Sequence, residues 1–141
     1  TQVITVLQGI VGVFGVIAII ASVFGVVNTM YISVLQRTRE IGLMKALGMH
    51  KGDINRLFLF EAALIGLLGG LLGSGFAVAA GIFLNPFISD QLGLGSLSLL
   101  IFKPEQIITL LAALTVIAII AGLLPARKAS KLDPIEALRT E

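Results

Sequence analysis

The chain has 141 residues, 57% of them hydrophobic, and a formal net charge of +2, which is far too apolar for a soluble domain of this size. It contains no cysteine, so disulfides, thiolate nucleophiles and cysteine-based metal sites drop out. No Gly-x-x-x-x-Gly-Lys-Ser/Thr phosphate loop occurs either, so the chain is not expected to hydrolyse a nucleotide itself or to hold a cofactor.

Charge is missing where a bilayer would forbid it. No Asp, Glu, Lys or Arg precedes Arg37, and two further uncharged stretches run from Ala62 to Ser89 and from Gln106 to Ala126. A bilayer core needs about 20 consecutive apolar residues per helix, and each stretch reaches that. The expected fold class is all-α integral membrane, with three transmembrane helices over residues 3–35, 57–84 and 105–124. The remaining charge is sorted by side. Arg37, Arg39, Lys45, Lys51 and Arg56 fall in the loop 36–56, and Arg127, Lys128, Lys131 and Arg139 in the tail 125–141, leaving only Lys103 in the loop 85–104. The positive-inside rule puts the basic loop and tail in the cytoplasm and the N-terminus outside. The surplus charge is therefore topological, not a nucleic-acid patch. With no basic flank before its first apolar run, the chain does not begin as a signal peptide, and an odd number of spans with an outer N-terminus reads as a fragment.

The first span is longer than a membrane requires. At about 1.5 Å per residue it approaches 50 Å against roughly 30 Å of hydrocarbon, so its outer end around Thr1 to Gln8 is expected to protrude. Its β-branched residues would suggest a strand in water, but lipid demands internal backbone pairing. Ala18, Ser22 and Gly25 form a weak stripe of small residues, with Ala21 beside it. Asn28 is expected to hydrogen-bond to another helix, worth about 1 kcal/mol or less.

The loop after this span predicts a short amphipathic helix. Ile41, Leu43, Met44 and Leu47 share an arc of roughly 160°, with Arg39 and Lys45 at its margins and Glu40 inside it. Gly48 is the expected helix stop, and Gly52-Asp53 the restart, with Asp53 as N-cap. The apolar arc is expected to have no partner within the chain. Docking on lipid headgroups would call for a richly cationic face opposite bulky aromatics, and neither is present, so a groove on a protein partner is the better expectation. His50 reads as a solvated turn residue.

The second span carries Gly69, Gly73, Ala77 and Gly81 at successive fourth positions, with Gly66, Gly70 and Ser74 in a parallel row. Small residues so spaced let helices approach closely, either within the chain or between copies. Glu61, one turn into this span, is expected to pair with Arg56 or Arg37, or to act as a hinge tying the loop helix to the span. Catalysis finds no support. Leu72-Gly73-Ser74-Gly75 lacks the first glycine of the intramembrane serine protease motif, no span contains a histidine, and no two carboxylates share a span. The outer loop is leucine-rich, with Gly93, Gly95 and Asp90, and suggests no chemistry. In the tail, Asp133, Pro134 and Glu136 supply an N-cap, a first-turn proline and a capping-box partner for a short helix to about Arg139.

Two stretches make the sequence recognisable. Arg37-Thr38-Arg39-Glu40-Ile41-Gly42-Leu43-Met44-Lys45-Ala46-Leu47-Gly48, continued by Leu57-Phe58-Leu59-Phe60-Glu61-Ala62, resembles the FtsX-like permease family. So does Pro125-Ala126-Arg127-Lys128-Ala129-Ser130-Lys131-Leu132-Asp133-Pro134-Ile135-Glu136-Ala137-Leu138-Arg139. The family includes MacB-type exporters, lipoprotein-releasing permeases and the division protein FtsX. The resemblance implies a C-terminal three-span portion of a dimeric, homo- or heteromeric, ABC permease in the bacterial cytoplasmic membrane, with an extracytoplasmic partner in some members. ATP would be bound by a separate cytoplasmic ATPase subunit or domain, and Arg39 to Gly48 would be the coupling helix resting on it. The implied function is to couple ATP hydrolysis to export or to an extracytoplasmic conformational change, called mechanotransmission. The alternatives are a non-transporting regulator of a cell-wall hydrolase, as FtsX itself is, and a structural scaffold without an ATPase.

Overall fold

A computed structural model describes residues 2–91 and 103–139. Its elements are α1 (Gln2–Gln36), α2 (Thr38–Ala46), α3 (Lys51–Gln91), α4 (Pro104–Ser130) and α5 (Pro134–Arg139). No strand occurs among the described residues, and α1, α3 and α4 are each long and apolar enough to cross a membrane. The fold is that of an all-α, multi-pass membrane protein.

The helices outrun the expected spans. The α3 helix starts at Lys51, ahead of residue 57, because its polar first turns are continuous with the apolar run, and it continues to Gln91. Asp53 consequently sits inside the first turn rather than at the N-cap; the Asp53 and Ile54 amides both bond to the His50 carbonyl. A carboxylate there suits the positive end of the helix dipole, which is why the residue serves from either position. Most of the loop 85–104, including Gly93 and Gly95, lies outside the described residues.

The tightest packing is between α3 and α4, with α1 lying mainly against α4 and α5 against α2. Small residues make the α3–α4 contact possible. A Cβ added at Gly66 would stand 2.6 Å from the Ala118 Cβ, and one at Gly122 would stand 2.6 Å from the Ala62 Cβ and 3.2 Å from the Met30 sulfur. One added at Gly70 would meet Leu111 at 2.8 Å. The seam is thus Ala62, Gly66 and Gly70 on α3 against Ala118 and Gly122 on α4. The Gly69–Gly81 row is displaced from it: a Cβ added at Gly69 or Gly73 would meet nothing within 4 Å, Ala77 is exposed, and only Gly81 is buried. The parallel row took the seam because Ile54, Phe58 and Ala62, all buried, extend that row toward the core and fix the rotation of α3.

The core gathers at one end, where the basic residues are. Met30 and Val34 of α1, Ile41 of α2, Ile54, Phe58 and Ala62 of α3, and Ala126 and Ala129 of α4 form one buried cluster. Away from it, residues 2–22 of α1 are all exposed, while α3 and α4 stay in contact as far as Gly70 and Leu111.

Candidate functional site

The basic end is where side chains of different helices converge. Arg37 turns the chain between α1 and α2, and the Thr38 hydroxyl donates to the Val34 and Leu35 carbonyl oxygens at 3.0 and 2.9 Å, satisfying acceptors at the end of α1. At the other end of α2, Gly48 adopts φ +98°, the left-handed conformation that a side chain disfavours, and so terminates the helix where the sequence predicts.

The apolar arc of α2 is not unpartnered, and here the sequence expectation is corrected. Ile41 is fully buried, Gly42 is buried beside it, and Met44 packs half-buried against the same cluster. These residues face the core because α2 folds back under α1, α3 and α4, and that cluster covers them. What remains outward is Leu43 at 52% exposure and Leu47 at 80%, flanked by exposed Arg39, Glu40 and Gly48. The sequence-derived set therefore divides into an inward group, Ile41 and Met44, and an outward group.

Lys45 belongs to neither group. Its ammonium turns toward α4 and donates to the Ser130 carbonyl oxygen at 2.6 Å and to the Leu132 carbonyl oxygen. Burial lowers its pKa from the ordinary lysine value, the nearby Lys51 charge lowers it further, and Asp133 opposes the shift. A cleft of ≈ 670 Å³ opens beside it, lined by Met49, His50, Lys51, Lys131 and Asp133 among others.

In the tail, Asp133 Oδ1 accepts from the Ile135 amide at 2.9 Å, capping α5 beside Pro134. Glu136 lies within α5. Ala137 is buried. Two expected polar contacts do not form within the chain. Asn28 is exposed and makes no hydrogen bond, and Glu61 is partly exposed and makes no ion pair with Arg56 or Arg37, among the described residues. Both face away from the core on long apolar helices.

Three features, two at this end and one within the spans, are not visible to sequence reasoning. Lys128 donates to the Tyr31 hydroxyl, with its ammonium 4.2 Å from the ring centroid, and so ties α1 to α4. Asn55 buries its Oδ1 without a partner, beside Ile54 in the inward row. Finally, a cavity of ≈ 490 Å³ lies between α1, α3 and α4, bordered by Ser22, Gly25 and Thr29 on one side and Gly66, Gly69 and Gly70 on another. Ser22 and Gly25 of the first-span stripe and Gly69 of the second-span row thus share one cavity. Among the described residues no cluster of His, Asp or Glu is arranged to hold a metal.

The comparisons fit this architecture. The family model described as FtsX-like permease C-terminal matches residues 12–134. The macrolide export ATP-binding/permease protein MacB of Psychrobacter arcticus is 44% identical over 114 residues, covering 81% of this chain and 16% of that protein. MacB of Agrobacterium fabrum is 41% identical over 138 residues, covering 98% of this chain and 20% of that protein. A probable syringafactin export ATP-binding/permease protein, SyfD of Pseudomonas syringae pv. tomato, is 40% identical over 114 residues, covering 81% and 16% respectively. The chain spans a fifth or less of the length of these relatives. With two motifs in place on the loop helix and the tail, and a match over most of its length, the chain belongs to the FtsX-like permease family.

Proposed function

We propose that this chain is the membrane-spanning permease portion of an ABC export system, and that the outward face of α2 receives motion from a cytoplasmic ATPase and passes it through the bundle to the outer end of α1. The observation that carries this reading is the division of α2 into two faces. Ile41 is 0% exposed within the core while Leu47, six residues on, is 80% exposed. A helix held in the core on one face and bare on the other acts as a rigid bearing surface. Arg39, Glu40, Leu43, Leu47 and Gly48 form the contact. The relatives whose names join ATP binding to a permease support an ATPase as the partner, in the same polypeptide or a separate one. In this reading the basic end is cytoplasmic, the first residues lie outside a bacterial cytoplasmic membrane, and two copies work as a dimer.

The test uses the full-length protein. Leu47→Asp places an unpaired carboxylate at the contact and should abolish ATP-dependent export while insertion and expression stay normal. Met44→Asp is unsuitable, because Met44 also packs against the chain's own core. Full export by Leu47→Asp would remove the contact assignment. Orientation is checked separately: a cysteine replacing Gln8 should react with an impermeant thiol reagent in intact cells, and one replacing Lys51 should not.

A further inference from the structure

The two stretches that carry the family resemblance lie more than sixty residues apart in sequence, and one side chain joins them. The Lys45 ammonium, from α2, bonds to the carbonyl oxygens of Ser130, the last residue of α4, and of Leu132 in the link to α5. Carbonyls at a helix end have no partner within the helix, and a cation there also meets the negative end of the dipole. The contact forms although burial and the neighbouring Lys51 both disfavour charge on Lys45.

The chain connects α2 covalently to α1 through Arg37 and to α3 through residues 47–50, but nothing covalent connects it to α4 except by way of the whole of α3. The remaining links are the packing of α2 against α5, which residues 131–133 join to α4, and the apolar cluster that α2 and α4 share. Apolar contact is not directional, so it resists separation better than sliding, whereas hydrogen bonds weaken steeply when their angle is lost. Lys45 supplies the directional contact. From α4 the path continues without slack, because Ala118 and Gly122 leave no room against α3, and Gly122 also abuts Met30 of α1.

We propose that Lys45 is a positioning residue that latches α2 to the end of α4, so that α4 and α5 follow the displacement of α2 and α4 carries it to α1. This rests on the reading that α2 receives the ATPase's motion. Methionine at position 45 would keep much of the stem and lose the donors, while arginine would keep both.

The experiment uses the full-length protein in lipid nanodiscs with spin labels on introduced cysteines, compared without nucleotide and with a trapped ATP state. The distance between labels at Ala46 and Arg127 should stay constant with native Lys45 and change in Lys45→Met. The nucleotide-driven shift of a label at Gln8 should fall by about fivefold in Lys45→Met, within the range that loss of one coupling contact covers, and should return in Lys45→Arg. A full shift in Lys45→Met, or no return in a folded Lys45→Arg, overturns the latch. Should Lys45→Met fail to insert, the Ala46–Arg127 distance in the protein with native Lys45 decides: constancy supports the latch and change overturns it. Leu47→Asp separates the two ideas. A full Gln8 shift in that variant overturns the contact reading, whereas no shift there together with a full shift in Lys45→Met overturns the latch alone.

Discussion

The basic end and the N-terminal half of α1 are built from similar residues and behave oppositely. At the basic end four helices share one buried cluster, closed by the Lys45 and Lys128 contacts and by glycines that admit no further atoms. Along residues 2–22 of α1, Val3, Val11, Phe14 and their neighbours are exposed, and Gly9, Gly12 and Gly15 have nothing nearby. Hydrophobicity therefore does not distinguish the two regions; convergence does. Apolar residues become a core only where helices of the same chain meet, and elsewhere they are a surface for lipid.

The largest test of this contrast is Phe58→Ala against Phe14→Ala. Phe58 is 1% exposed, so its truncation should cost about 3–5 kcal/mol in a detergent denaturation titration, whereas Phe14→Ala should stay within about 0.5 kcal/mol of the parent. Equal losses would mean that the N-terminal half of α1 is packed after all. Next is Gly66→Ala against Gly73→Ala. The methyl at position 66 meets the Ala118 Cβ and the Thr115 and Leu114 backbone, so a loss of about 1–3 kcal/mol is expected; at position 73 it meets nothing and should leave the fold unchanged. A destabilised Gly73→Ala in the assembled transporter but not in the isolated chain would place the second row at a seam between copies.

Gly48→Ala should cost about 1–2 kcal/mol through its left-handed backbone alone, read as a lowered melting temperature without any change in the core. The smallest expected effect is that of Asp133→Ala, about 1 kcal/mol, confined to α5 and visible as faster amide exchange at Ile135. If that loss spreads to α4, then α5 and the bundle unfold as one unit.

The three long helices are legible in the sequence because absent charge reports directly on lipid, and the Gly48 stop and Asp133 cap because each is a local rule. Two packing assignments are not. Two glycine rows with the same spacing lie side by side on α3, and spacing alone gives no rotation; continuing the rows toward Ile54 and Phe58 points to the correct one. The α2 arc is visible as an apolar face, but periodicity does not show what covers it, and the chain's own core takes Ile41 and Met44 where a partner is expected. The charge of Lys45 places it at the margin of that arc, while its long stem lets it reach Ser130 and Leu132, a contact that only the fold brings within range.

The unequal lengths of the helices have a consequence for the membrane itself. α1, α3 and α4 contain 35, 41 and 27 residues, so at about 1.5 Å each they measure roughly 52, 62 and 40 Å. α3 and α4 stay packed together from Ala62 and Gly122 to Gly70 and Leu111, whereas α1 is held only near the basic end, so its mismatch with a hydrocarbon layer of about 30 Å accumulates at its other end. A thicker bilayer would swallow more of α1 without loosening its root, and mismatch amounting to fractions of a kcal/mol per Å would act on that free arm as a spring. Bilayer thickness would then set the resting pose of the arm.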